Sequence, residues 1–430
     1  MSAPAVVEPA LALEVAAQLG FGIARRAYWS EDRCTWLDAV PVQPHENPAT
    51  SATVGADVYG GAAGIGWFLA EAAARTGDAL LRRTAVAALR QAAARAEEQL
   101  GSAPHGFYGG AAGTGAVLVA AGAALEDDAS REAGRALLLR IAPTTDNKEA
   151  TDIISGLAGT QVALAVAADR LGGDTALVAR AAEAGRHLLA MGERDRAGAL
   201  SWPTMPETRS NLAGFAHGAA GIAHAFLVLD AAAPEAAWRD AAAAAIAYER
   251  GLLDPDKGGW PDLRQLPGTP PDQVFYPIAW CHGAAGILQS RLAAAAASAS
   301  LDVATDIDVG LAAAIAETQR ALAAPDGDWT LCHGLLGLAD ALLDAVRAGR
   351  SEAAAGLAAC VSRAIESFHA AERPWPSGLL TREEISGLMM GNAGIGWFFL
   401  RLADPTLESV LVPGAALIAQ AGGGSTARAG

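Results

Sequence analysis

The sequence contains few cysteines: Cys34, Cys281, Cys332 and Cys360 are the only four among 430 residues. So few cysteines in so long a chain do not make a disulfide framework, and a reducing compartment would keep them as thiols. Each thiol is then available for metal binding or catalysis.

Excess positive charge and long apolar runs are also lacking. The formal net charge is −16, spread without long blocks of like charge, which argues against binding to nucleic acids or anionic membrane surfaces. The first residues, MSAPAVVEPALALEV, have no basic region of the kind that opens a signal peptide. No run approaches the roughly 18 apolar residues of a membrane span. We therefore expect a cytoplasmic protein.

Residues that favour strands are sparse. Aromatic residues make up 6% of the chain, β-branched residues are few, and alanine dominates an apolar fraction of 52%. Because this composition favours helices over strands, we predict an all-α protein. At about 100–200 residues per domain, the length suggests two or three domains. A repeat array would override this expectation.

A Gly-X-X-Gly pattern recurs seven times along the chain. The copies are YGGAAGIGW (59–67), YGGAAGTGA (108–116), ISGLAGTQV (154–162), AHGAAGIAH (216–224), CHGAAGILQ (281–289), CHGLLGLAD (332–340) and MMGNAGIGW (389–397). Their first glycines are Gly61, Gly110, Gly156, Gly218, Gly283, Gly334 and Gly391. The intervals of 46 to 65 residues fit two helices plus loops, so each repeat is predicted to be a helical hairpin in a chain of about fourteen helices.

Seven hairpins can close into an α,α-toroid or stack as an open superhelix, and the pattern alone does not decide between them. Glycine at each helix start is expected to leave the first amide N–H groups pointing outward, so that seven such starts could ring a cavity. The Pro-rich loops 201–211 and 258–273 are expected to lie over one face. We assign residues 1–418 to a single domain and expect 419–430 to be a flexible tail.

The two residues before each first glycine differ among the copies. Polar metal-binding types occur only in the middle copies: His217 in repeat four, Cys281 and His282 in repeat five, and Cys332 and His333 in repeat six. In a quasi-symmetric array these side chains should converge on one rim. Thiolates and imidazoles are the preferred ligands of zinc, and three protein ligands plus one open position are typical of a catalytic site. We choose Cys281, Cys332 and His333 as the ligands.

The remaining cysteines and two other histidines have simpler explanations. A cysteine is often a buried small hydrophobe, and a histidine is often held by hydrogen bonds in a structural setting. We predict these roles for Cys34, Cys360, His187 and His369.

Five stretches resemble the lanthionine synthetase C-like cyclases, which close thioether rings in lanthipeptides. They are GFAHGAAGIAHAFL (214–227), AYERGLLDPDKGGWPDLR (247–264), AWCHGAAGI (279–287), LCHGLLGL (331–338) and GLMMGNAGIGWFFLRLADP (387–405). The similarity covers nearly the whole chain and is greatest to the C-terminal cyclase domain of the two-domain class II lanthipeptide synthetases. It implies an α,α-toroid of seven inner and seven outer helices with one zinc ion near its centre.

The resemblance also implies roles for individual residues. It assigns the zinc ligands to Cys281, Cys332 and His333. The family's active-site histidine falls on His217, and its acidic residue, four positions before a repeat glycine, falls on Asp152.

The residues around the first ligand follow the class II pattern. Trp280 matches the family's aromatic residue before this ligand and is expected to position substrate. Class I cyclases have an arginine and a tyrosine where this chain has Pro277 and His282, and Arg264 or Arg250 is the candidate for the missing arginine. Because 430 residues leave no room for the dehydratase domain of class II synthetases, we expect a free cyclase that works with a separate dehydratase.

The implied reaction adds a cysteine thiol of a dehydrated precursor peptide to the β-carbon of dehydroalanine or dehydrobutyrine. A free thiol has a pKa of about 8.5, and zinc would deprotonate it on coordination. His217 is the expected proton donor to the resulting enolate, with Asp152 orienting it and His282 as a second candidate. Asp152 also has a structural alternative, because aspartate is a preferred helix N-cap.

Other functions on such a scaffold stay open. A glycosidase would need a second carboxylate across the cavity, and a terpene cyclase an aspartate-rich magnesium motif; neither is visible. A relative that handles glutathione or another thiol, or a peptide-binding scaffold, could have the same site without closing a ring.

Overall fold

The architecture comes from a computed structural model of the chain. It describes residues 6–41, 49–101, 105–142, 151–206, 208–265, 268, 270, 272–324, 327–379 and 383–427.

Fifteen α-helices form the body of the described chain. They are α1 Pro9–Arg25, α2 Ala62–Thr76, α3 Ala79–Gln99, α4 Ala111–Ala124, α5 Asp128–Arg140, α6 Leu157–Arg170, α7 Thr175–Met191, α8 Ala219–Ala232, α9 Ala236–Leu252, α10 Ala284–Ala297, α11 Ala304–Leu322, α12 Leu335–Arg347, α13 Ala354–Ala364, α14 Asn392–Ala403 and α15 Ala415–Ala427. A π-helical turn, Ile365–His369, extends α13.

Three short antiparallel hairpins of strands accompany the helices in the described ranges. The strands are β1 Tyr28–Ser30, β2 Arg33–Thr35, β3 Leu37–Pro41, β4 Ala49–Thr53, β5 Glu193–Arg194 and β6 Leu200–Ser201. They pair β1 with β2, β3 with β4 and β5 with β6, so the strands form no central sheet.

The seven repeat glycines are the N-caps of α2, α4, α6, α8, α10, α12 and α14. These helices are buried around most of their circumference: every residue of α8 from Ala219 to Leu229 is buried. By contrast, α5 buries only Ser130, Gly134, Leu137 and Leu138, which lie on one face. A helix that is apolar all round belongs inside a structure and an amphipathic one at its surface. The repeat glycines therefore mark the inner helices.

Contacts between neighbouring inner helices run in chain order from α2 to α14, and α14 in turn contacts α2. The inner helices thus close into a ring. Each of α3, α5, α7, α9, α11 and α13 packs outside the inner helix that precedes it, whereas the outer partner of α14 is α1. The predicted all-α toroid of seven inner and seven outer helices is confirmed, with the first helix of the chain completing the outer layer.

The second glycine of each repeat is required by a close backbone approach. These residues are Gly64, Gly113, Gly159, Gly221, Gly286, Gly337 and Gly394. An added Cβ at each would stand 1.5–2.1 Å from the carbonyl oxygen six residues earlier. The loop before each inner helix therefore folds back against the first helical turn, where only glycine fits.

The same loops bind the first amides of the inner helices. Ala62, Ala219 and Leu335 donate their N–H groups to carbonyl oxygens seven residues earlier, at 2.8–3.0 Å. The expectation that these amides point outward was wrong, because the loop that covers each helix start accepts from them. Side chains, rather than helix amides, must therefore supply the chemistry at this end of the ring.

The C-terminal segment after α14 lies on the inside of the ring. Tyr108, Trp280 and His224, from three different repeats, bond to the carbonyl oxygens of residues 410, 411 and 413 at 2.7–2.9 Å. Helix α15 then packs against α8 and α10. Residues 419–427 are helical in the structure where we expected a flexible tail, and Gly422 allows α15 to approach the carbonyl oxygen of Ala296 closely. Residues 428–430 lie outside the described residues.

Within the described ranges, none of the helices combines the length and the apolar character needed to cross a lipid bilayer.

Gly113→Ala should lower the free energy of unfolding by more than about 2 kcal/mol, because its Cβ would stand 1.5 Å from the Phe107 carbonyl oxygen and force the backbone apart. Gly22→Ala in α1 is the control, since an added Cβ meets nothing within 4 Å there. The control should be neutral or stabilising by up to about 1 kcal/mol, the helix preference of alanine over glycine. Urea unfolding measures both, and equal midpoints would contradict the close approach.

Candidate metal and catalytic site

A chain of backbone hydrogen bonds joins the repeats at the residue two before each first glycine. We call these the rim residues: Tyr59, Tyr108, Ile154, Ala216, Cys281, Cys332 and Met389. At five junctions between successive repeats the amide of one rim residue donates to the carbonyl of the rim residue in the next repeat, at 3.3 Å or less, and the Met389 amide donates to the Tyr59 carbonyl at 2.9 Å. The side chains at and next to these positions are thereby gathered at one end of the ring, as the sequence predicted.

The two rim cysteines are in contact. Their side chains are within hydrogen-bonding distance of each other, and this bond, helped by the nearby charges of His333, Arg264 and His217, lowers the pKa of Cys281 to about 7. The same bond, together with burial, raises the pKa of Cys332 well above 9. Cys332 is buried and Cys281 as a whole residue is half-buried.

His333 stands beside this pair and is held by a carboxylate. Its Nδ1 lies 2.5 Å from Asp328 Oδ2, while Asp328 Oδ1 accepts from the Thr330 amide at 2.8 Å. Burial acts to raise the pKa of Asp328, but the bond to His333 holds it below its usual range. A histidine bound through Nδ1 to a carboxylate is the arrangement typical of a metal ligand that coordinates through Nε2.

The donor set can be tested against the chemistry of zinc. Among the described residues, no group of three or more His, Cys, Asp or Glu side chains lies close enough together to hold a metal ion as it stands. Two thiols in mutual contact and a carboxylate-bound imidazole beside them are nevertheless the donor types that zinc prefers. The residues present are therefore of the chemical types that bind zinc.

Asp152 binds both the loop before α6 and His217. Its Oδ1 accepts the amides of Ser155 and Gly156 at 2.8 and 3.0 Å, which holds this loop. The N-cap of α6 is Gly156, so the N-cap alternative for Asp152 was wrong. Its Oδ2 lies 2.6 Å from His217 Nδ1. This pair bridges repeats three and four. The side chain of His217 is 25% exposed and that of Asp152 is 7% exposed, so the imidazole is accessible to solvent and the carboxylate holds it from the buried side.

A buried charge cluster fixes the start of α8, directly after His217. Glu249 Oε1, from the outer helix α9, accepts the amides of Gly214 and Ala220 at 2.8 and 2.9 Å. Its other oxygen binds Arg291 at 2.5 Å, and Arg291 also binds Asp306 at 2.9 Å. The side chains of Glu249, Arg291 and Asp306 are fully buried. Because an unpaired buried charge is costly, this cluster holds α8 in one position.

His282 lies between the metal-site residues and His217. Its ring stacks on that of His217, with 5.5 Å between centroids. Burial, with the positive charges of Arg264 and His217, lowers the pKa of His282 to about 3. His282 is therefore neutral at physiological pH, and its ring packs against that of His217.

The two Pro-rich loops meet over this end of the ring. The Arg209 amide donates to the Leu263 carbonyl, and Thr204 bonds through its hydroxyl to the carbonyl of His217. Arg264 binds Asp262 through two nitrogens, at 2.6 Å for the shortest contact, and its charge acts on Cys281. The loops thus cover one face, as expected, and bring an arginine to the site.

Other predicted residues lie elsewhere. Arg250 binds Asp302 and Asp306 on the outer side of α9, so of the two candidate arginines only Arg264 is near the thiols. Trp280 is 1% exposed, with its indole N–H bonded to the carbonyl of residue 411, and it packs beneath the rim. A direct contact of Trp280 with substrate stays a prediction.

The two remaining cysteines are buried away from the site. Burial raises the pKa of Cys34 and of Cys360 to about 12, and each thiol bonds to a backbone carbonyl. These are the structural roles predicted for them.

The sequence interpretation overlooked Tyr59, Asp328, Asp262 and Glu249. The repeat alignment could have identified Tyr59, because it occupies in repeat one the position that Cys281 and Cys332 occupy in repeats five and six. Its hydroxyl lies 3.0 Å from Cys332 Sγ. The three acidic residues have no fixed place in the repeat.

Comparison with known proteins gives the chain its family. The sequence profile described as "Lanthionine synthetase C-like protein" matches residues 52–417. Among solved structures, "Nisin cyclase" is similar with a TM-score of 0.62 and 16% identity, over 84% of this chain and 92% of that chain, a likeness of fold. No curated protein sequence matches the chain. Since the family profile spans most of its length, the chain belongs to the lanthionine synthetase C-like protein family.

Proposed function

We propose that the protein is a zinc-dependent peptide cyclase that forms lanthionine or methyllanthionine rings. The observation that supports this most directly is the juxtaposition of two kinds of chemistry at one rim. Cys281 and Cys332 are in contact beside the carboxylate-bound His333, and the His217–Asp152 pair stands at the neighbouring repeat. The first group suits activation of a thiol and the second suits proton transfer.

Cys281, Cys332 and His333 would hold the metal. A zinc ion there would lower the pKa of a coordinated substrate thiol and so supply its thiolate at neutral pH. The partners already in place on these ligands, Asp328 on His333 and Tyr59 on Cys332, hold the side chains in orientation.

His217 would deliver the proton that completes the addition. As the cysteine sulfur bonds to the β-carbon of the dehydroamino acid, the electron pair of the double bond moves to form an enolate. A proton from His217 Nε2 onto the α-carbon then completes the thioether. Asp152, bonded to Nδ1 at 2.6 Å, fixes the ring orientation and stabilises the imidazolium that acts as donor.

The substrate would be a precursor peptide dehydrated by a separate enzyme. Arg264 presents a cation beside the thiols and is the candidate to position the peptide or the developing enolate oxygen. The neighbouring Pro-rich loops offer the peptide a binding surface.

The proposal predicts one zinc per chain and thiol consumption without a mass change. Metal analysis should find zinc in the parent and little in Cys281→Ala or Cys332→Ala, because each variant lacks a thiolate ligand. Cys34→Ala, outside the site, should keep full zinc. With a peptide already dehydrated, alkylatable thiols should disappear faster than without the protein, while the peptide mass stays constant because ring closure is an isomerisation.

Two outcomes would count against this. No zinc in the parent, or full zinc in both ligand variants, would remove the metal site. Zinc present, but with thiols persisting at the uncatalysed rate across several dehydrated peptides, would favour a role in handling glutathione or another thiol.

His217→Asn should keep zinc and slow ring closure by about 10²–10⁴-fold, the range for loss of a general acid. Single-turnover rates on a dehydrated peptide measure this, and His187→Asn, on the outer helix α7, is the matched control expected to leave the rate unchanged. An unaltered rate in His217→Asn would move the proton donor to His282 or Asp152.

Substitutions at Asp152 should separate its bonds to the loop from its bond to His217. Asp152→Asn keeps an oxygen for the Ser155 and Gly156 amides, whereas Asp152→Ala should lose about 1 kcal/mol more stability. Both should slow ring closure, because neither supplies a carboxylate to His217. Asp78→Ala removes a carboxylate that likewise accepts two backbone amides, as the N-cap of α3, and should reduce stability without changing the rate. A parental rate in Asp152→Asn would leave Asp152 a purely structural residue.

A further inference from the structure

Tyr59 reaches the ligand pair from the far end of the sequence. It is a rim residue of repeat one, and its backbone amide bonds to Tyr108 while its carbonyl accepts from Met389. Its position is therefore set by the same backbone circle that places Cys281 and Cys332. From there its side chain crosses the inside of the rim, and its hydroxyl lies 3.0 Å from Cys332 Sγ.

The direction of this hydrogen bond follows from the chemistry of the two groups. A phenol with an ordinary pKa near 10 keeps its proton at neutral pH, and a metal-bound thiolate has no proton to donate. Tyr59 must therefore donate to Cys332. A hydrogen bond to a ligand sulfur withdraws negative charge from it and fixes its rotamer.

The two cysteines consequently have different surroundings. Cys332 is buried and contacts the neutral Tyr59 hydroxyl, whereas Cys281 is half-buried and lies near the Arg264 guanidinium. The hydroxyl offsets part of the negative charge of the buried sulfur.

We propose that Tyr59 is a positioning residue of the metal site, holding the Cys332 thiolate for the ion by a hydrogen bond from its hydroxyl. This inference rests on the proposed zinc site. It adds a group from repeat one, 273 residues away in the chain, to a site otherwise built from repeats three to six.

Tyr59→Phe tests the proposal by removing one oxygen atom. Tyr108→Phe is a matched control, since Tyr108 is the rim residue of the next repeat and its hydroxyl bonds to a backbone carbonyl, that of Val410, at 2.7 Å. Both variants lose one hydroxyl hydrogen bond from the same position of the repeat. Only Tyr59→Phe loses a bond to a ligand.

Competition with a chromophoric chelator should show zinc bound about 10–100-fold more weakly by Tyr59→Phe, the usual effect of removing a partner of a metal ligand. Tyr108→Phe should bind zinc within about 2-fold of the parent. In protein loaded with Co²⁺, the sulfur-to-metal charge-transfer band should move to lower energy in Tyr59→Phe alone, because the sulfur regains electron density. Neither measurement depends on ring closure.

Equal zinc affinity and equal cobalt spectra in Tyr59→Phe and Tyr108→Phe would overturn the inference while leaving the zinc site intact. Absence of zinc from the parent protein would instead remove the proposed function itself. Tryptophan fluorescence of each metal-free variant should match the parent, since the removed oxygen leaves the ring in place. A weaker affinity accompanied by loss of folded fluorescence would assign Tyr59 to stability rather than to the metal.

Discussion

The backbone hydrogen bond that six of the seven rim residues donate to the next repeat determines where the functional side chains of this protein stand. This bond uses only main-chain atoms, so it is indifferent to whether the residue is tyrosine, isoleucine, alanine, cysteine or methionine. The side chain at each rim position can therefore change while its place does not. The second glycine of every repeat supports the same arrangement, because it lets the loop lie against the helix start at 1.5–2.1 Å from where a Cβ would be. Substitution at a rim position can therefore change the chemistry of the site without moving the position.

This dependence explains how much could be predicted. Aligning the repeats on their glycines aligns the backbone bonds as well, so the cysteines and histidines of repeats four to six could be placed at one rim without a structure. The all-α fold and the number of inner helices follow from the same glycines. Asp152 was harder, since aspartate four residues before a helix start suits both a cap and an acid. In the structure one carboxylate oxygen accepts amides of the loop before α6 and the other lies against His217, while Gly156 is the cap.

The rest depended on contacts that have no fixed place in the repeat. The outer layer is completed by α1, which packs on α14, and α1 carries no glycine motif that would predict this partner. The inward course of residues 410–413 rests on hydrogen bonds from side chains of three repeats to backbone carbonyls, which any residue can provide. Arg264 and Arg250 are close in sequence, yet the loop that carries Arg264 turns over the rim whereas Arg250 stays on the outer helix with Asp306. Only tertiary structure separates them.

Three nitrogen-bearing side chains around the thiols share one arrangement, although they come from different parts of the chain. His217 is bound by Asp152, His333 by Asp328 and Arg264 by Asp262, with contacts of 2.5–2.6 Å. Each carboxylate is less exposed than the group it holds. The orientation of all three groups is thus fixed by folding, and no ordering has to take place when a ligand arrives. Because the Arg264 charge is already matched by Asp262, the negative charge of two thiolates must be met by a bound cation or by hydrogen bonds. The Tyr59 hydroxyl at Cys332 is one such bond, and the remaining charge gives a metal cation its electrostatic reason to bind between the cysteines.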